Sequence, residues 1–132
     1  EASSAGVQID LIVRGVCCLK PKIPRVSENI RVISVVGRFL EHSRVYYFLN
    51  ANHPVYCSSA DWMERNLSNR IEVCFPVLGK KLANRIIKEL EIHINTKGQS
   101  WELQANGEYK ELTFDAKEPD AQNILLNRLA QV

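Results

Sequence analysis

The 132 residues are enough for one domain with a real core, and apolar and charged fractions of 45% and 24% are those of a soluble globular chain. A net charge of +2 is too small to argue for nucleic acid or an anionic membrane by itself, so any anion binding has to come from local placement of arginine. The longest apolar stretches, such as 32–36, are far too short to span a bilayer, and the small, polar N-terminus carries no signal-peptide pattern.

Residues 1–6 read as the tail of something cut away. Residues 7–13 (VQIDLIV) alternate and then turn wholly apolar, which suits a strand entering the middle of a sheet. That strand ends at Arg14-Gly15. Residues 17–29 form a loop with Pro21, Pro24 and a basic set, Lys20, Lys22 and Arg25, for which a solvated loop is the default. Strands follow at 30–36 and at 39–49, the second rich in aromatic and β-branched residues. A tight turn, NANHP, returns the chain into a strand at 55–59, with His53 on the turn surface. Residues 61–67 are a polar connection and 70–77 a fifth strand, in which Ile71, Val73 and Phe75 look like core.

The period then changes. From 80 to 95, Leu82, Ile86, Leu90 and Ile94 recur at four-residue steps with Ile87 beside them, the pattern of an amphipathic helix lying on a sheet. His93 sits beside that stripe in a structural position. Residues 101–112 form a hairpin, with Asn106-Gly107 as a type I′ turn pair. A short helix begins at Pro119, its apolar face made of Ala121, Ile124, Leu125, Leu129 and Val132. Trp62 and Trp101 are expected in packing. The whole is an α/β (α+β) domain over 1–132, a mixed β-sheet flanked by helices.

Four cysteines, at 17, 18, 57 and 74, show neither C-x-x-C nor a zinc-ligand spacing. Cys57 and Cys74 fall within apolar strand patterns and are expected buried. A reduced, cytoplasmic protein is the simplest account.

Polar residues able to do chemistry gather at strand ends between 39 and 73. His42 and Arg44 are two apart, so on a strand both face one side. Imidazole serves as nucleophile or acid/base near neutral pH, and guanidinium offers a fixed fork for two phosphate oxygens. By itself H-x-R arises easily on a solvated strand end. The next strand ends in Ser58, Ser59 and Asp61, a hydroxyl and a carboxylate that could equally cap a helical piece. Arg70 and Glu72 form a further i, i+2 set, either a surface ion pair or an arginine aimed at phosphate with a glutamate orienting His42. Arg14 supplies another cation at a strand terminus.

The stretches DLIVRGVCCL, SENIRV, GRFLEHSRVYYF, SSADWMERN and NRIEVCFPV closely resemble the C-terminal catalytic domain of bacterial polyphosphate kinase, closely over 1–95 and loosely over 96–132. That family has a phospholipase D-like fold, whose usual motif is histidine-x-lysine with a downstream serine and asparagine. Here Arg44 stands at the lysine and Asp61 near the asparagine, departures that look like those of the kinase branch.

The resemblance implies reversible transfer of the ATP γ-phosphate to polyphosphate through a phosphohistidine in a preceding domain. His42 matches the second active-site histidine, and Arg14 and Arg70 match nucleotide- or phosphate-binding positions. Arg44, Ser59, Asp61 and Glu72 are expected to support them. It further implies Mg²⁺ held mainly by ligands outside this chain, ATP, ADP and polyphosphate as partners, a homo-oligomer, and a cytoplasmic location with peripheral membrane association. Nucleic-acid binding and a transmembrane segment are not expected. Such an active site is built from two half-motifs and only one is present, so the chain by itself is expected to be inactive. Two other readings stay open: a phospholipase D-like phosphodiesterase that completes its site by homodimerisation, and a non-catalytic phosphate-binding module.

Overall fold

A computed structural model describes residues 1–112 and 119–131. Its contacts separate into two compact units, one formed by 1–40 with 91–132 and the other by 41–90. The expected α/β class forms.

The first unit holds four strands: β1 (Ile9–Ile12), β2 (Ile30–Val35), β6 (Ser100–Leu103) and β7 (Tyr109–Glu111), ordered β1-β2-β6-β7. Its sheet is mixed, as the pattern predicts: β1 runs parallel to β2, and the other pairs are antiparallel. β2 lies between β1 and β6, and burial of consecutive residues shows that both of its faces are covered. Val32, Ile33, Ser34 and Val35 are all buried there, and the β-branched run is what a two-sided environment selects. Arg31 at the strand's exposed start pairs with Asp10 at 2.7 Å. In the basic loop Lys22 pairs with Glu102 at 3.0 Å, so it is not an open cation.

The hairpin between β6 and β7 turns differently from the expectation. Gly107 has φ +90° and Asn106 is not left-handed, which excludes type I′. The Gly107 amide donates to the Gln104 carbonyl and the Gln104 amide to the Glu108 carbonyl, a three-residue loop ending in a glycine bulge. The last helix, α3 (Ala121–Leu129), starts two residues later than proposed. Asp120 caps it by accepting from the Asn123 amide, and Pro119 precedes the cap. Of its expected apolar face, Ala121 is buried, Leu129 is exposed, and Val132 lies outside the described residues.

The second unit has its own three-stranded antiparallel sheet of β3 (Val45–Tyr47), β4 (Val55–Ser58) and β5 (Cys74–Pro76). Helix α2 (Lys80–Asn95) has the predicted bounds, with the boundary between the units falling inside it. The expected stripe forms its packing face except at Leu82, and Ala83 joins it. Ala83 is buried, and Ile86 and Ile87 pack with it on Val55, Val77, Val45 and Cys57, while Leu82 is exposed.

Three expectations fail in this unit. The strand proposed over 39–49 shrinks to β3, beyond which the pairing reaches back only to the Arg44 carbonyl. The connection at 61–67 contains a short helix, α1 (Glu64–Asn69). The strand over 70–77 shrinks to β5, and Ile71, Val73 and Phe75, read as core, are exposed, Ile71 completely. Cys74 is exposed as well, whereas Cys57 packs against the core. Among the described residues no helix is long and apolar enough to cross a membrane.

Candidate functional site

Antiparallel pairing sets which residues meet. The start of β3, the end of β4 and the start of β5 lie at one end of the second unit's sheet. The ladder continues past the strands there: the Ser58 amide donates to the Arg44 carbonyl at 2.9 Å and the Ser59 amide to the Val73 carbonyl at 3.0 Å. Segments 42–44, 59–61 and 70–73, far apart in the chain, thus arrive together.

Arg44 donates from Nε to Asp61 Oδ1 at 2.9 Å. The Asp61 carboxylate, with the charges of Glu72 and Tyr46 also near, holds the guanidinium above its usual range despite some desolvation. The Ser59 hydroxyl donates to Glu72 Oε2 and accepts from the Val73 amide at 3.0 Å. Ser59 thereby closes the sheet end and fixes the carboxylate that faces Arg44. No Arg70–Glu72 ion pair forms, and Arg70 is the exposed C-cap residue of α1. The serines do not cap α1 either. Its N-cap is Met63, and Ser58 instead accepts from the Ala60 amide at 3.1 Å in a local turn.

His42 lies three residues before β3 in an exposed segment, off the strand on which it was expected. It is therefore positioned by chain direction and not by a ladder. Beside this cluster, on the sheet face opposite α2, Trp62 stacks on Tyr46 with ring centroids 5.8 Å apart and donates from Nε1 to the Tyr46 hydroxyl at 2.8 Å. Trp62 is exposed, which corrects its expected packing role. Nothing in the sequence tells an exposed tryptophan from a buried one.

Of the seven residues proposed, Arg44, Ser59, Asp61 and Glu72 form one connected cluster, and His42 and Arg70 flank it on the same chain segments. Arg14 belongs to the first unit, exposed just beyond β1, with its carbonyl accepting the Ser34 hydroxyl at 3.3 Å.

One contact was not legible at all. Gln122 of α3 accepts from the Phe39 amide through Oε1 at 2.8 Å and donates through Nε2 to the Phe39 carbonyl at 2.7 Å. This buried two-point clamp joins residues 83 positions apart.

The Ser59 arrangement makes a specific prediction. Ser59→Ala removes the acceptor of the Val73 amide, and hydrogen exchange at Val73 is expected to speed by roughly tenfold. The Ser59 amide, bonded to backbone, keeps its protection. Equal exchange at Val73 in both proteins would show that the hydroxyl holds nothing there.

Comparison with known proteins bears on the family of the chain. A family model described as polyphosphate kinase C-terminal domain 2 matches residues 1–122. A polyphosphate kinase of Pseudomonas aeruginosa is 57% identical over 133 residues, covering 98% of this chain and 19% of that protein. Polyphosphate kinase 1 of Chlorobaculum tepidum is 49% identical over 99% of this chain and 19% of its own length. A crystal structure of polyphosphate kinase from Porphyromonas gingivalis superposes with a TM-score of 0.89 at 43% identity, over 98% of this chain and 20% of that one. The chain thus spans about a fifth of the length of these relatives. The likeness runs beyond residue 95, further than the motifs alone carried it.

Proposed function

The chain belongs to the polyphosphate kinase family as its C-terminal domain 2, and from that membership we propose that it works within a longer protein that transfers the γ-phosphoryl group of ATP to polyphosphate and back. In the proposed reaction a histidine outside this chain takes the phosphoryl group from ATP, releasing ADP, and a terminal oxygen of polyphosphate then takes it from that histidine. This chain supplies His42 as the acid or base that moves a proton at the reacting phosphate. Arg14 and Arg70 bind phosphate or nucleotide.

The observation that carries this reading is the gathering of 42–44, 59–61 and 70–73 at one sheet end, with Asp61 and Glu72 already engaged. Paired carboxylates leave the exposed His42 and Arg70 as the groups able to meet an anion. A magnesium ion, when bound, would supply charge neutralisation to the transferring phosphate, and it would need one or two carboxylates to hold it. The carboxylates here do not fit that duty, since Asp61 is held by Arg44 and Glu72 by Ser59. Among the described residues no group of three or more His, Cys, Asp or Glu could hold an ion. In this reading, as the family resemblance implies, Mg²⁺ would be held mainly by ligands outside this chain. A cytoplasmic location and a homo-oligomeric full-length enzyme complete the reading, and the chain alone is expected not to turn over ATP.

The test is ATP-dependent polyphosphate synthesis by the full-length protein, followed with radiolabelled ATP. No polymer under any divalent-metal condition would sink the reading. Hydrolysis of a phosphodiester without ATP would favour the homodimeric phosphodiesterase instead.

A further inference from the structure

Sequence reasoning assigns no role to Arg38, yet the first unit places it at the same sheet edge as Arg14. β1 and β2 are parallel, with Ile9 opposite Ile30 and Ile12 opposite Ile33. Both strands therefore release their chain at one edge, the carboxyl edge at which open α/β sheets gather ligands. Arg14 leaves β1 there, alongside Ser34 through the 3.3 Å bond to its carbonyl. Arg38 leaves β2 at that edge, four residues beyond Ser34, and is exposed. Four residues of chain reach at most about 14 Å, a gap that two arginine side chains can close on one extended anion.

Arg38 is also held in place. Its Cζ stands 5.3 Å over the centroid of the Phe39 ring, a cation–π contact. The Phe39 peptide is gripped at both polar atoms by Gln122, at 2.8 and 2.7 Å. Gly37 leaves the room that Gln122 fills, since a Cβ there would lie 2.8 Å from Gln122 Cδ and from Gln99 Oε1. Helix α3 thus holds the backbone of Phe39, and the Arg38 guanidinium lies over that residue's ring.

The charges complete the case. Arg31 is paired with Asp10 and Lys22 with Glu102. Arg38 has no carboxylate partner among the described residues. A solvated surface cation needs no such scaffold. One that is positioned and not neutralised is preorganised for an anion from outside.

We propose that Arg38 is a phosphate-binding arginine acting beside Arg14 at the carboxyl edge of β1 and β2, and that its ligand is a run of linked phosphoryl groups. Those groups belong either to polyphosphate or to the triphosphate of ATP, an identification that rests on the function proposed above.

Inorganic tripolyphosphate binding to the full-length protein, measured by titration calorimetry, tests it. Arg38→Gln is expected to weaken binding about tenfold. Arg38→Lys recovers part of the loss, because it keeps the charge without the fork. Phe39→Leu weakens binding about threefold while leaving every charge in place, and Arg31→Gln has no effect. Wild-type affinity in folded Arg38→Gln overturns the proposal. If that variant does not fold, wild-type affinity in both Arg38→Lys and Phe39→Leu overturns it instead. In turnover, a rise in KM for polyphosphate alone assigns the polymer, and a rise in KM for ATP assigns the triphosphate. If the wild-type protein makes no polyphosphate, the kinase reading fails, and the tripolyphosphate affinities still decide the role of Arg38.

Discussion

His42→Ala in the full-length protein is expected to cut ATP-dependent polyphosphate synthesis by about 10²–10⁴-fold, the usual worth of a positioned acid or base. The fold should not suffer. His42 is exposed, makes no hydrogen bond with another described residue and lies outside the core of Val55, Val77 and Ala83. The melting temperature is therefore expected to stay where it is, so a large loss of rate reads directly on chemistry. His42→Gln keeps a neutral donor and acceptor of similar size but cannot shuttle a proton, and should fall nearly as far. The pH–rate profile separates proton transfer from simple phosphate contact: with His42 removed, the limb due to imidazole disappears. A folded His42→Ala protein with near-normal synthesis would take His42 out of the reaction.

The second large effect is expected at a residue that touches no phosphate. Gly37→Ala places a methyl group 2.8 Å from Gln122 Cδ and from Gln99 Oε1. The ends of glutamine side chains ordinarily swing away at little cost. Here Gln122 is buried and commits both amide atoms to the Phe39 peptide. Relief of the clash therefore breaks two hydrogen bonds and leaves buried polar groups short of partners, a cost of about 1–3 kcal/mol. The expected readout is lost exchange protection at the Phe39 amide, along with weaker tripolyphosphate binding because Arg38 loses its ring support. Unchanged protection would mean that the clamp yields freely. Gln122→Ala, which removes the clamp and keeps Gly37, should reproduce the loss of protection, and the two substitutions together should cost little more than either one.

What could be read in advance follows from the range of each interaction. Helix α2 was found to the residue because its apolar period is a local property of sixteen consecutive side chains. β2 was found because β-branched residues crowd a strand covered on both faces. The stretches at 39–43 and 70–72 look just as strand-like, and they are not strands, because a ladder needs a partner of the right length and register. Exposure was the least legible quantity. Ile71, Val73, Cys74 and Trp62 lie at the surface of this chain although their residue types favour burial. The hairpin turn erred by a single dihedral: Asn106-Gly107 suits type I′, but the pairing of Gln104 with Glu108 asks for one left-handed residue, not two.

For the candidate site the division is sharper. The sequence by itself determined the family and the α/β class, and it nominated His42, Arg44, Ser59, Asp61, Arg70, Glu72 and Arg14, since motif residues and their spacing are written in the chain. Only the tertiary structure decided who holds whom. Antiparallel pairing of β3, β4 and β5 joined Arg44 to Asp61 and Ser59 to Glu72, and it left Arg70 apart from the glutamate two residues away. Parallel pairing of β1 and β2 put Arg38 at the edge where Arg14 emerges, and α3 secured it through Gln122, 83 positions from Phe39. Hydrogen bonds act over about 3 Å, and residues distant in the chain come within that range only once strand order, direction and register are set.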